Sequence, residues 1–475
     1  MDHLLDYIVL GVYFVVMIGA GYIGVRRAKS ADDFLVAGRR LGIPRYTGTL
    51  SAVVLGGAST VGTVRLGYLY GISGMWLVFM LGAGIFLLGA GFSQVLARLR
   101  VYTVSEMMER RYNSGSRLIS AIIMVAYDLM VAVSATIAIG TVFNVMFGLS
   151  QTWAIVLGVG VVVIYSVLGG MWSITLTDVI QFVIMTIGMF AIFLPWSISK
   201  AGGWSTMWDK VPHSYSSLTG IGVSTIWLYF LLFFFGIMVG QDIWQRVFTA
   251  KSVKVARWGG MLAGVYCVFY GICGALIGTA LLVILPKLEI ADNAFAEGAR
   301  AVLPVGMAGL VLAAALAAIM STASACMMAS STVLAQDIIG RFFLKSRDQR
   351  STIWLNRVLI VIVGIATLVA SLAIADVVGA LTVAYDLLVA AVFVPVVGAL
   401  FWKRSTTAGA VASMLVGALV MLVTMVWKGL YSNEAIYYSL IACAIVFVVV
   451  SLVTPKPSEA KMAEWAEASE GESQI

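Results

Sequence analysis

Apolar runs of about 20 residues recur along the whole chain, separated by short polar or Gly/Pro-marked stretches, and that length lets a helix cross a bilayer. They predict about thirteen transmembrane helices, over 5–25, 46–71, 74–97, 118–146, 152–169, 173–199, 223–244, 258–286, 303–340, 354–375, 379–402, 405–427 and 434–454. Two runs are interrupted. Residues 50–63 (LSAVVLGGASTVGT) set Gly56, Gly57 and Gly62 among hydroxyls, and 233–245 (FFFGIMVGQDIWQ) place Gly236 and Gly240 before a polar segment. Glycine weakens a helix, and unwound backbone at membrane depth is tolerated only where it lines a cavity. Two breaks near the starts of two five-span blocks, 46–199 and 223–402, point to inverted repeats around a midplane site. Close packing against a neighbouring helix is the other reading of these glycines. A third run, 313–335 (AAALAAIMSTASACMMASSTVLA), puts Ala318, Ser321, Thr322 and Ala325 on one helix face. Such a strip is either a packing seam or half of a cation site, since hard cations take oxygen ligands.

With 61% hydrophobic and only 11% charged residues among 475, the chain is predicted to be an all-α, polytopic membrane protein without a soluble domain. Its net charge of +7 would suit nucleic acid, but the placement of the charge does not. Lys and Arg cluster in alternate connections, at 26–45, 98–117, 246–257, 341–357, 403–404 and 456–461. Lys200, Lys210, Lys287, Arg300 and Lys428 fall in the other connections, and Arg65 lies inside a span. The positive-inside rule then predicts an outside N-terminus and a cytoplasmic C-terminus, in the inner membrane of a bacterium, with lipid rather than nucleic acid as the partner. The opening MDHLLD has no basic n-region, so the first span is expected to be retained. TVSEMMERRY (103–112) reads as an interfacial helix capped by Thr103 with Glu106 completing a capping box. The acidic tail, 455–475, is expected to be disordered. The four cysteines sit in apolar runs without metal-ligand spacing. No nucleophile–base pair or charged filter ring is visible, so neither an enzyme nor a channel is expected.

The chain resembles the sodium:solute symporter family, which includes sodium/glucose, sodium/proline and sodium/pantothenate carriers. The resemblance rests on FLVAGRRLG (34–42), GTVRLGYLYG (62–71), GGMWSITLTDVIQ (169–181), GQDIWQR (240–246), AAIMSTASACMMASSTVLAQDI (317–338) and ALFWKR (399–404), in the family's order. It implies a leucine-transporter-type fold: a five-plus-five inverted repeat preceded by one span and followed by two (405–454). It implies sodium-coupled import of a small organic solute by alternating access, with Na⁺ as coupling ion, no other cofactor, and a carrier working as a monomer.

The family's shared sodium site maps onto Ala52, Leu55 and Ala318 as carbonyl ligands and Ser321 and Thr322 as hydroxyl ligands. The second site of some relatives maps onto Asp178, Ser321 and Ser324, but Ala325 stands where a hydroxyl is expected, so one Na⁺ per solute is the expected ratio. Substrate candidates are Ser59, Thr60, Arg65, Asp128, Asp242, Trp244 and Asp386. Arg65 would receive a carboxylate, as in an amino acid, a monocarboxylate or a pantothenate-like solute, or would pair with an acid such as Asp128. Trp244 would stack on solute, plug the exit or simply pack. Asp128, Asp178 and Asp386 leave proton coupling open. Asp128, Asp386 and the Leu55-Gly56-Gly57 stretch, which is similar to the choline branch, leave open a cationic solute of choline or polyamine type. Val78, where sugar carriers place an acid, argues against a sugar. A membrane sensor on the same scaffold is the remote alternative.

Overall fold

The computed structural model describes residues 4–343, 349–374 and 376–470. Lys345 and Arg347, counted above among the basic connections, and residues 471–475 of the tail lie outside the described residues. The described chain is helical almost throughout; its one β feature is an isolated bridge between Leu41 and Ala250. A helix satisfies its own backbone polar groups, which lipid cannot do.

In chain order the principal helices are α1 (Leu4–Arg27), α2 (Ile43–Val54), α3 (Ala58–Leu99), α4 (Val104–Arg111), α5 (Ser114–Phe147) and α6 (Gln151–Lys200). They continue with α7 (Val223–Ile237), α8 (Gln241–Val247), α9 (Val253–Ile284), α10 (Met307–Arg341), α11 (Gln349–Ala373) and α12 (Val377–Phe401). The last three are α13 (Thr407–Lys428), α14 (Glu434–Val453) and α15 (Glu459–Glu470). Among the described residues, 10 are long and apolar enough to cross a membrane, or 11 with the bent pair α7–α8. α3 and α6 run for 42 and 50 residues, well over what one crossing needs at about 1.5 Å per residue. Each contains a glycine at positive φ, Gly71 (+66°) and Gly170 (+56°), where an L side chain would be strained. At Gly170 a Cβ would also collide with the Phe34 carbonyl.

α10 is the axle of the molecule: 94% of its most apolar stretch is buried, against 33% for α1 and α11 and 28% for α14. A helix buried all round cannot be amphipathic, and its alanines and serines let α5, α6, α1 and α2 approach on every side.

Two local expectations change. Thr103 does cap α4, accepting from the Glu106 N–H at 3.0 Å, but Glu106 reaches back to the Tyr102 N–H at 2.9 Å, one residue earlier than the box predicts. The tail is not disordered over 459–470. It is the helix α15, which packs on α4 and the end of α3, buries Trp465, and donates from Lys461 Nζ to the Tyr112 carbonyl. An acidic composition disfavours a free helix with nothing to bury; one tryptophan and a waiting groove reverse that balance.

Candidate functional site

Both interrupted runs are breaks. α2 ends at Val54, Leu55 leaves helical geometry (φ −93°, ψ 58°), and helix resumes at Ala58. α7 and α8 meet at a 46° bend across Met238–Gly240. The glycines of the first break are there for proximity. A Cβ on Gly56 would stand 2.7 Å from Thr322 Oγ1, and one on Gly57 would stand 2.6 Å from the Ala138 Cβ. The broken strand of chain is thus pressed between α10 and α5.

The hydroxyl strip of α10 faces that break. Ser321 Oγ lies 2.8 Å from both the Ala52 and the Ala318 carbonyls. Thr322 Oγ1 donates to the Val53 carbonyl at 2.7 Å and lies 3.5 Å from that of Ala318. Two hydroxyl protons therefore face three carbonyls, and the oxygens' lone pairs outnumber the side-chain donors. This surplus of neutral oxygens suits a monovalent hard cation. Leu55 stands differently: its carbonyl accepts from Thr60 Oγ1 at 3.3 Å. Ser59 likewise donates to the Val54 carbonyl at 2.9 Å, so the first hydroxyls past the break bind the carbonyls that it frees.

The Asp178 group is engaged elsewhere. Its carboxylate accepts from Thr49 Oγ1 and pairs with Arg246 at 3.4 Å, while Ser324 donates to the Ser321 carbonyl at 3.0 Å. Among the described residues no hydrogen bond joins Asp178 to Ser324. Arg65 pairs with Asp292 at 3.2 Å, not with Asp128. Trp244 is fully buried and donates from Nε1 to the Met238 carbonyl at 2.7 Å; it satisfies backbone that the second break exposes. Asp386 is buried on α12.

Between the two breaks lies a cavity of about 20 Å³, room for a single water-sized group. Its lining includes Gly56, Gly57, Ser59, Thr322, Tyr385 and Asp242. Of the substrate candidates, Ser59 and Asp242 reach it; Thr60, Arg65, Asp128, Trp244 and Asp386 do not. Tyr385, Ser134 and Leu81 join the lining without being among those candidates. A signal for Tyr385 was present, since Asp128 and Asp386 each follow a tyrosine. The tyrosines turn out to be the half that meets: the rings of Tyr127 and Tyr385 lie edge to face with centroids 5.4 Å apart, and Tyr127 donates to Asp242 at 3.2 Å.

Ion pairs stand at both ends of the bundle. At the end bearing the basic connections, Glu109 bonds Arg117 and Arg341, and Arg117 also pairs with Asp337 at 2.6 Å. Burial alone would raise the Glu109 carboxyl, but the two guanidiniums outweigh it and hold the group below the ordinary carboxylate range. At the opposite end stands Arg65–Asp292. There burial raises the Asp292 carboxyl, the Arg65 charge opposing it and that of Asp376 adding to it.

A family model described as "Sodium:solute symporter family" matches residues 34–417. Sodium/proline symporters of Staphylococcus aureus strains JH9, COL and NCTC 8325 / PS 47 are each 29% identical over 491 residues, spanning 95% of this chain and 92% of theirs. A solved structure described as the substrate-bound outward-open state of a Na⁺-coupled sialic acid symporter superposes with a TM-score of 0.82 at 20% identity, covering 97% of this chain and 100% of that one.

Proposed function

The chain belongs to the sodium:solute symporter family, a multi-pass membrane carrier that couples solute transport to Na⁺, and from that premise we propose that it imports an amino-acid-like solute bearing both a cationic nitrogen and a carboxylate. The observation that carries the solute class is the lining of the cavity between the breaks. An acid, Asp242, faces it, whereas Arg65, the arginine that would claim a carboxylate, is held by Asp292. Asp242 suits the nitrogen. The carboxylate belongs at the head of the helix that restarts at Ala58, where first-turn N–H groups lack intrahelical partners. The sodium/proline relatives support the same class.

In this reading Na⁺ binds among Ala52, Leu55, Ala318, Ser321 and Thr322, with the Leu55 carbonyl released by Thr60 as the ion enters. The ion bridges the broken span and α10 and favours the outward-open state. Solute then occupies an enlarged cavity and the bundle rocks inward. The Arg/Lys-rich connections lie in the cytoplasm of a bacterial cell, with the N-terminus outside.

Thermal-shift titration of the purified protein tests the solute class. L-proline and other L-amino acids should raise the melting temperature in Na⁺ and much less in K⁺. Choline, which lacks the carboxylate, and propionate, which lacks the nitrogen, should not. Stabilisation by propionate alone would return the role to Arg65; stabilisation by choline alone would make the solute a cation.

A further inference from the structure

Behind the cavity, three side chains from three helices converge: Asp128 of α5, Asp242 of α8 and Cys326 of α10. Their carboxylate and thiol ligand atoms lie within 4.8 Å of one another. All three residues are buried, with 0%, 2% and 0% exposure. Asp242 accepts from Tyr127 OH at 3.2 Å and, more weakly, from the Cys326 thiol at 3.9 Å. Asp128 is different: among the described residues, neither of its carboxylate oxygens has a hydrogen-bond partner. The Asp242 backbone N–H is turned towards it without completing a bond. A bare carboxylate enclosed in protein at membrane depth is among the most costly arrangements available to a side chain.

The surrounding charges do not relieve it. The titratable and charged groups facing the two acids are Tyr127, Tyr385, Cys326 and Arg246. Only Arg246 is cationic, and Asp178 already takes it at 3.4 Å. Asp128, Asp242 and Asp178 thus share one guanidinium, so two of the three carboxyls must be matched by a further cation or by a proton. The cationic nitrogen of the solute answers one of them on the cavity side of Asp242. Asp128 does not line the cavity, so the solute nitrogen does not answer it and the match must come from elsewhere.

We propose that Asp128 and Asp242 form a second Na⁺ site, closed by the Tyr127 hydroxyl and walled by Cys326, separate from both the Ser321–Thr322 junction and Asp178. A hard monovalent ion takes carboxylate and hydroxyl oxygens, and the spacing of the acids is that of ligands around one ion. The site rests on the reading of this chain as a sodium-coupled carrier, and it doubles the number of ions carried per solute.

Equilibrium binding of radioactive Na⁺ to the purified full-length protein, without organic solute, tests it. Wild type should bind two ions per chain, Asp128→Asn one, and Ser321→Ala one. Asp128→Glu, which keeps the charge, should retain two and separates loss of the site from loss of the fold. An Asp128→Asn protein that binds as many ions as wild type overturns the proposal, as does a wild type that binds one; either result leaves a proton to neutralise the acids. If Ser321→Ala alone leaves the count unchanged, the junction reading fails and the Asp128 site stands.

Discussion

At the scale of the residue, the junction turns on two hydroxyls that have too few protons for the carbonyls they face. Removing one hydroxyl should weaken Na⁺ binding while leaving the helices in place, because the change takes a ligand from the ion and deletes no backbone hydrogen bond within a helix. An interaction with a charged group is worth about 1.5–3 kcal/mol, so Ser321→Ala or Thr322→Ala should raise the Na⁺ concentration for half-maximal uptake roughly 10- to 100-fold. Uptake measured across a Na⁺ series checks this, and unchanged sodium dependence would sink the junction. Gly56 is the converse case. An added methyl would stand 2.7 Å from Thr322 Oγ1, so Gly56→Ala should push the break away from α10. It should cost about 1–3 kcal/mol of stability along with Na⁺-dependent uptake. Much of this was legible beforehand, since glycine pairs and hydroxyls at helical spacing are local features. Thr60 occupying the Leu55 carbonyl was not, because a hydroxyl's choice among nearby acceptors depends on where the break leaves them.

At the scale of the element, the two breaks have different supports. The first is held by hydroxyls five residues downstream, Ser59 and Thr60; the second by the indole of Trp244. Each support satisfies carbonyls that a broken helix orphans. The latch of α4 and α5 with the end of α10 carries a pH prediction. Glu109 is held below the ordinary carboxylate range. A depressed acid stabilises the folded state above its unfolded titration range, and loses that contribution as pH falls through its folded one. Wild type should therefore lose stability on acidification that Glu109→Gln has already lost at neutral pH. Melting temperatures of the two proteins should converge as the solution becomes acidic; curves that stay parallel would remove Glu109 from the latch. Arg65 belongs to this scale as well. An arginine in a span signals function by its cost, but its partner, Asp292, lies more than 200 positions along the chain, beyond any spacing argument.

At the scale of the whole molecule, 94% of the most apolar stretch of α10 is buried, and the Ser321–Thr322 junction, the cavity between the breaks and the Asp128 cluster all border it. The tail helix α15 clasps the basic end from outside that core. Trp465→Ala should release it without unfolding the bundle, since the buried indole is its main apolar anchor. Limited proteolysis beyond residue 455 should then accelerate several-fold, and equal rates in the two proteins would show the helix is held by something else.

Composition and apolar periodicity alone determined an all-helical membrane protein, because long apolar runs without the alternation of barrel strands leave the helix as the way to satisfy a backbone in lipid. The glycine interruptions marked where the helices break, and the hydroxyl strip marked what faces the first break; those are properties of neighbouring residues. Tertiary structure decided the pairing of charges. It gave Arg65 to Asp292 and Arg246 to Asp178, and it left Asp128 beside Asp242 without a basic side chain of its own among the described residues. Three helices had to be brought together before that deficit existed, since a charge imbalance is set by distance in space rather than by position along the chain.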